Sequence, residues 1–223
     1  MGMPYRQLPL VDDEIYHIYN RAFNRQTVFI DRSYYSRAIS SLNLYRHLIN
    51  IKYAFFKTHL PKTQKKIIEE KIPLIEIIAY CFMPNHFHLL VKQIHEQGIV
   101  KSVGKFSTSY AKYFNTRRNK KGPVFEGRFK AVLIESNEQL LHVSRYIHLN
   151  PYSASLIKMN EIKDYSYSSI GDYLGVSKNP ISDPEMVLNQ FKSGKNYLEF
   201  VTDNADYQQN LQRIKKQLLD VEE

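Results

Sequence analysis

"PLIEIIAYCFMPNHFHLLVK", residues 73–92, contains two apolar segments on either side of a short turn. Both segments are rich in β-branched, aromatic and aliphatic residues, which at this length favours strands. The turn, Met83-Pro84-Asn85, is a short connection, so we expect the two strands to pair antiparallel. The stretch therefore predicts a β-hairpin, and the other elements are arranged around it.

The spacing of apolar residues on both sides of the hairpin predicts the flanking elements. In chain order these are a strand over residues 14–23, a helix from about Asp31 to residue 50, a helix over 100–118, a strand over 128–134 and a helix over 136–150. The last helix has clear ends. Ser136 and Gln139 have the spacing of a capping box, and Pro151 is expected to stop the helix.

The order strand, helix, strand, strand, helix, strand is that of a split βαβ unit. We therefore predict an α+β, ferredoxin-like fold, a four-stranded antiparallel sheet with helices on one face and the other face left open for a site. With 223 residues, 43% of them hydrophobic, the chain can bury a core as one domain with an extension. We place the domain at residues 1–155 and a partly helical C-terminal extension, with a charged tail, at 156–223.

The composition points to a polyanionic partner. The formal net charge is +9 and the isoelectric point is near 9.4, with 17 Tyr and 12 Phe but no Trp. A basic surface that also carries aromatic rings suits nucleic acid, which is the leading class of partner.

The single cysteine, Cys81, excludes an internal disulfide and a cysteine-built zinc site, and we expect a buried, inert thiol. The most apolar run, residues 73–83, is too short to span a bilayer. These features predict a cytoplasmic protein with no membrane partner.

His86 and His88 stand on the same face of their strand, because side chains in a strand alternate. Their Cα atoms are expected about 7 Å apart, close enough for the two rings to converge on one metal ion. The plainer alternative is that one histidine caps a turn and the other is half-buried at the surface.

The predicted helix over 136–150 carries a second polar group. Tyr146 and Asn150 are four residues apart and therefore share one helical face, with His142 one turn before them. A phenol, an amide and an imidazole form one stripe. Taken alone, this helix could equally carry a surface stripe with Tyr146 partly buried.

Four motifs make the chain resemble the REP-associated tyrosine transposases, which belong to the single-tyrosine HUH transposases of bacterial insertion sequences. They are "YCFMPNHFHLLV", with its His-hydrophobic-His core, "YAKYFNTRRNKKGPVFEGRFKA", "YIHLNPYSA" and "YSYSSIGDYLG". The first and third are specific, and the resemblance covers most of Ile15 to Gly175.

The resemblance implies a DNA transposase that binds single-stranded or hairpin DNA, then cuts and rejoins it through a 5′-phosphotyrosine. His86 and His88 would hold a divalent ion, Mg²⁺ or Mn²⁺, Asn150 would complete the protein ligands, and Tyr146 would be the nucleophile. The family often has glutamine four residues after the tyrosine, so Asn150 departs from the pattern by one methylene. His142 is a possible base for the phenol proton.

The chemistry of the reaction explains this set of residues. A phosphodiester is anionic and resists an anionic attacker, so a metal ion is needed to withdraw charge from it. Two neutral imidazoles and an amide leave the ion its full charge, and ligand softness favours manganese over magnesium. A phenol nucleophile conserves the phosphodiester energy in a covalent intermediate, which allows rejoining.

Basic and aromatic residues alternate between Lys101 and Lys130, as in grooves where cations follow phosphates and rings stack on unpaired bases. The alternative, without a role in binding, is a solvated helix face whose aromatic residues belong to the core. Candidates for contact with DNA are Lys112, Arg117, Arg118, Lys120, Lys121, Arg128 and Lys130, with Arg21 and Arg25 after the first strand as weaker ones.

Two other functions stay open at this point. A non-catalytic protein that binds single-stranded or hairpin DNA would keep the fold and the basic groove but not the reaction. A metal-dependent hydrolytic nuclease would need the histidines and not Tyr146. The sequence is equally compatible with a monomer and a homodimer.

Overall fold

The predicted hairpin lies inside a four-stranded antiparallel sheet. In the computed structural model, which describes residues 9–48, 51–64, 73–203 and 205, the strands are β1 (Ile15–Arg21), β2 (Ile75–Met83), β3 (His86–Gln93) and β4 (Lys130–Leu133). Their spatial order is β2-β3-β1-β4, and each neighbouring pair is antiparallel. This order is that of a split βαβ unit, so the predicted ferredoxin-like α+β class is confirmed.

The helices follow the predicted sequence of elements. They are α1 (Arg32–Tyr45), α2 (Tyr53–Thr58), α3 (Gly98–Arg118), α4 (Asn137–Ser153), α5 (Ile170–Tyr173), α6 (Glu185–Leu188) and α7 (Gly194–Thr202), with 3-10 turns at Phe23–Arg25 and Met159–Asp164. Asp31 begins α1, where its carboxylate accepts hydrogen bonds from the backbone N–H groups of Ser33 and Tyr34. The acidic cap satisfies two N–H groups that have no partner inside the helix.

One face of the sheet is covered by α1 and α3, as predicted. The alternating residues of β1 explain it, since Tyr16 and Ile18 point to this face and are buried. Phe82, Phe87 and Phe106 fill the space between sheet and helices, with ring centroids 5.3 to 6.0 Å apart. Burial of these rings, with the other apolar residues of this core, holds the helices to the sheet.

The second face is not left wholly open, which differs from the expectation. Helix α4 packs across β2 and β3, and a second core forms there around Cys81, Leu90 and Ile147. The cause is that β2 and β3 have apolar side chains on both faces, and these need cover. The polar residues of the site lie on this face along β1 and at the start of β3, where Tyr19 pairs with His88 and Arg21 with His86.

The N-terminus of α4 agrees with the prediction, and its C-terminus differs from it. Ser136 caps the helix by accepting from the N–H of Gln139, whose side chain in turn accepts from the N–H of Glu135. Pro151 does not stop the helix, which continues to Ser153. A proline in the last turn removes only one intrahelical bond, and its buried ring packs in the core, so the helix tolerates it.

The described part of the C-terminal extension packs on the domain. Helices α6 and α7 contact α4, and α6 also contacts β2. The charged helical tail predicted near residues 207–223 lies outside the described residues. None of the described helices is long and apolar enough to cross a membrane.

Candidate active site

The two histidines follow a tight, firmly held turn. Pro84 and Asn85 form a two-residue loop between β2 and β3. The carbonyl groups of this loop accept three backbone hydrogen bonds of 2.7 to 3.0 Å from residues 22–29. His86 is the first residue of β3 and His88 the third, so both rings start from fixed backbone on one face of the sheet. Their ring centroids are 5.2 Å apart and nearly perpendicular.

Hydrogen bonds fix which nitrogen of His86 is free. The side-chain nitrogen of Asn85 donates to the carbonyl of Arg25 at 3.2 Å, so the amide oxygen must face His86. That oxygen lies 2.7 Å from Nδ1 of His86 and can only accept, which requires a proton on Nδ1. The lone pair of a neutral His86 is therefore on Nε2, away from the turn.

A third histidine, which the sequence reasoning missed, completes the cluster. Nε2 of His17 in β1 lies 2.9 Å from Nδ1 of His88, and the two rings stack with centroids 5.1 Å apart. The register of β1 against β3 sets Tyr19 opposite His88 and Arg21 opposite His86. The alternation of residues 15–21 was the available signal, because it puts His17, Tyr19 and Arg21 on a single face.

Tyr146 reaches this cluster from α4. Its ring centroid is 5.3 Å from that of His88, with the planes at 88°, and 6.0 Å from that of His17. A cleft of about 380 Å³ opens there, lined by His17, Tyr19, His88, Val132 and Tyr146. The phenol of the helix thus contacts the imidazoles of the strands, and these rings line the cleft together.

Asn150 connects the phenol to the histidines. It is 2% exposed, and its side-chain nitrogen donates to the backbone carbonyl of Tyr146 at 3.0 Å. Its side chain also makes hydrogen bonds that affect both Tyr146 and His86. The structure therefore brings together four of the predicted residues, His86, His88, Tyr146 and Asn150.

Burial controls the protonation of this group. It lowers the pKa of His17 to about 4. Burial and the nearby charge of Arg21 lower the pKa of His86 to about 4, against a hydrogen bond to Asn150, which raises it, and burial also lowers the pKa of His88 well below its ordinary value. All three imidazoles are consequently neutral near pH 7, with lone pairs available. Burial raises the pKa of Tyr146, so its phenol holds its proton.

His142 is not brought to the phenol. Its side chain is 58% exposed and is 3.6 Å from a carboxylate oxygen of Glu138 and 3.2 Å from a guanidinium nitrogen of Arg145. Although His142 is one helical turn before Tyr146, its side chain faces solvent.

The predicted DNA-binding residues lie in two places. Lys112, Arg117 and Arg118 are exposed on the last two turns of α3. The loop that follows α3 runs along the end of β1, because Phe23 and Glu126 donate backbone hydrogen bonds to Val124 and Arg21. The other candidates, also exposed, lie at and after the end of β1, in that loop and at the start of β4: Arg21, Arg25, Lys120, Lys121, Arg128 and Lys130.

The donor set suits a divalent ion of intermediate softness. Within the described residues, no group of three or more His, Cys, Asp or Glu side chains is arranged to hold a metal ion. Two imidazoles with an amide oxygen are a different set, and His86, His88 and Asn150 supply it. With Nδ1 of His86 bonded to Asn85, and Nδ1 of His88 bonded to His17, Nε2 is in each ring the nitrogen that could bind an ion, and that of His86 lies beside the side chain of Asn150.

These features define the class of protein, a ferredoxin-like α+β domain with a cleft between a histidine-bearing strand and a tyrosine-bearing helix. The chain matches the model of the family described as IS200-like transposases over residues 11–150. This match spans more than half of the 223 residues. The chain belongs to the IS200-like transposase family, and the resemblance stated from its motifs is confirmed.

Two solved structures are similar to this chain. A REP-associated tyrosine transposase bound to a REP hairpin shares 15% identity and gives a TM-score of 0.51, covering 82% of this chain and 91% of the other. This likeness concerns the fold. A putative transposase from Deinococcus radiodurans shares 18% identity with a TM-score of 0.35, over 66% of this chain and 94% of that one. No curated protein sequence matches the chain.

Proposed function

We propose that this protein cuts and rejoins single-stranded DNA near a hairpin by attack of Tyr146 on the backbone. The observation that carries the proposal is the edge-to-face contact between the rings of Tyr146 and His88, with centroids 5.3 Å apart, beside a cleft of about 380 Å³ that both residues line. The reaction class is that of the family. The nucleophile, the metal ion and the form of the DNA are the parts proposed for this chain.

His86, His88 and Asn150 would hold Mg²⁺ or Mn²⁺. When bound, the ion would withdraw charge from a non-bridging phosphate oxygen and orient the leaving oxygen. The neutral state of both imidazoles supports this assignment, since protonated rings would repel a cation. Their hydrogen bonds to Asn85 and His17 support it further, because they aim the free nitrogens.

Tyr146 would form the covalent intermediate. Its phenolic oxygen would bond to phosphorus while the bond from phosphorus to the 3′ oxygen breaks, leaving a 5′-phosphotyrosine and a free 3′ hydroxyl. The reverse attack by a 3′ hydroxyl would release Tyr146 and rejoin the strand. Because burial raises the pKa of Tyr146, the phenol loses its proton as the new bond forms, and not before.

The basic end of the sheet would bind the DNA. The loop after α3 carries Lys120, Lys121 and Arg128 along the end of β1, next to the turn that precedes His86. Cations there can follow a backbone that leads into the cleft, whose wall includes the ring of Tyr19. The structural relative was solved with a hairpin, which favours hairpin DNA as the partner of this chain as well.

A denaturation-resistant adduct tests the proposal. Labelled hairpin-bearing single-stranded DNA is incubated with Mn²⁺ or Mg²⁺ and the protein, which is then denatured. The proposal requires a covalent protein-DNA band that is absent with Tyr146→Phe and present with Tyr152→Phe, a change on the same helix outside the cleft lining. Binding without cleavage would show a non-catalytic DNA-binding protein. Cleavage without an adduct, unaffected by Tyr146→Phe, would show a hydrolytic nuclease.

A further inference from the structure

A buried polar network on α4 has no part in the chemistry described above. Its centre is His148, which is 1% exposed. Nδ1 of His148 lies 2.7 Å from the hydroxyl of Tyr197 in α7, and Nε2 lies 2.7 Å from the hydroxyl of Ser169, just before α5. Both partners belong to the C-terminal extension, so the network joins the helix of Tyr146 to that segment.

The direction of each hydrogen bond in the network can be assigned. The hydroxyl of Ser144 donates to the carbonyl of Leu141 at 2.8 Å, so it accepts from the hydroxyl of Tyr197 at 3.2 Å. Tyr197 then accepts from Nδ1–H of His148, and Nε2 accepts from Ser169. Burial lowers the pKa of His148 to about 3, which keeps the ring neutral and suits one donor and one acceptor.

The chain of bonds continues into the sheet. The N–H of Tyr80 in β2 donates to the hydroxyl of Ser169 at 2.9 Å. One continuous series of hydrogen bonds thus runs from β2 through the C-terminal extension to α4. Every polar atom in it is buried, and a buried donor or acceptor that loses its partner is costly.

His148 and Tyr146 face different ways. They are two residues apart, so their side chains leave α4 about 200° apart around the axis. Beside His148, the guanidinium of Arg145 lies over the ring of Phe200 in α7, 3.9 Å from its centroid. Helix α7 therefore packs against α4 on the side away from the cleft, within one helical turn of Tyr146 and Asn150.

We propose that Tyr197 and His148 are positioning residues that fix α4, and that residues 165–203 are in this way part of the catalytic unit and not a separate appendage. The proposal rests on the proposed function of Tyr146. A nucleophile on a helix that can shift by a fraction of an ångström loses its alignment with the phosphate, and small misplacements lower rates steeply. Helix α7 prevents that shift.

Two conservative variants separate positioning from stability. Tyr197→Phe removes the hydroxyl that bonds His148 and Ser144 and keeps the ring. Tyr173→Phe is the matched control. The ring of Tyr173 is also buried and contacts the rings of His148 and Tyr197, but its hydroxyl donates to the carbonyl of Ile78 in β2 and not to α4. Each variant is compared with the wild type by hydrogen exchange of the amides of residues 144–150 and by adduct formation at saturating DNA.

The proposal expects Tyr197→Phe to speed exchange in residues 144–150 by about ten-fold and to slow adduct formation by a similar factor, with DNA affinity unchanged. Tyr173→Phe should change neither, although both variants lower thermal stability. Equal effects of the two variants on exchange in α4, or no effect of either, would overturn it. If the wild type forms no adduct, the proposed function fails, while hydrogen exchange still decides whether α7 fixes α4.

Discussion

The imidazoles of His17 and His88 are 2.9 Å apart between Nε2 and Nδ1, and both are neutral. One nitrogen of the pair must donate and the other accept. If the proton is on Nδ1 of His88, its Nε2 keeps a lone pair, as a metal ligand requires. In that arrangement His17 on β1 accepts a hydrogen bond from His88 on β3 and holds it in the metal-binding tautomer, and the pairing of these strands sets the distance.

We predict that His17→Ala weakens Mn²⁺ binding. The change leaves Nδ1 of His88 without its partner and frees the ring to rotate, and removal of such a partner typically costs 10- to 100-fold in metal affinity. Isothermal titration calorimetry with Mn²⁺ measures the change in metal affinity. His142→Ala is the control, since that histidine is exposed and its neighbours are Glu138 and Arg145. Equal affinities for the wild type and His17→Ala would disprove this role.

The basic residues in the last turn of α3 and just after it give a second prediction, on the salt dependence of DNA binding. Replacing Arg117, Arg118, Lys120 and Lys121 with Ala should flatten the plot of log affinity against log salt, by about 0.7 for each phosphate of the single strand that these side chains neutralise. The control removes four exposed lysines of the C-terminal extension, Lys163, Lys178, Lys192 and Lys195, which changes net charge by the same amount. A slope that both variants reduce equally would indicate a general charge effect and no local binding of DNA.

Alternation and spacing were enough to predict most of the fold and half of the site. The period of two in β3 put His86 and His88 on one face of the strand. The spacing of four on α4 put Tyr146 and Asn150 on one face of the helix. His17 could not be identified, because its role depends on the register between β1 and β3, which no local pattern encodes. The network of His148 likewise depends on Tyr197 and Ser169, which are distant in sequence.

Local rules also failed where tertiary packing outweighed them. Pro151 usually ends a helix, yet here its ring is buried and α4 continues to Ser153. The apolar residues on both faces of β2, such as Cys81 and Phe82, require cover on each face, which the predicted open face did not take into account. The pattern of single elements could not show which helix would provide that cover.

A third prediction concerns Cys81. Its thiol is fully buried in the second core, and burial raises its pKa far above the ordinary value. Because the thiolate is the reactive form, we expect the native protein not to react with Ellman's reagent at pH 8, and to release one equivalent after unfolding in guanidinium. Rapid reaction of the native protein would show that the helix covering β2 opens readily.

Arg21 provides the last prediction. Its side chain is exposed and stands opposite His86 in the sheet, and its charge helps to lower the pKa of both His86 and His88. A guanidinium at this place adds positive charge where a phosphate would meet the two imidazoles. It can also donate two parallel hydrogen bonds to phosphate oxygens, which an ammonium cannot. We therefore expect it to act on the reacting phosphate more than on the rest of the DNA.

Arg21→Gln should slow adduct formation at saturating DNA by about 100-fold, the usual cost of removing one preorganised donor from developing negative charge. The rate of Arg21→Lys should lie between those of the wild type and Arg21→Gln. DNA affinity should change much less, because the remaining basic residues still bind the backbone. Arg25→Gln is the matched control. It removes the same charge nearby but keeps the backbone carbonyl of Arg25, which accepts the hydrogen bond from Asn85 in the turn before His86. If both glutamine variants slow the reaction equally, charge near the turn matters and the position of Arg21 does not.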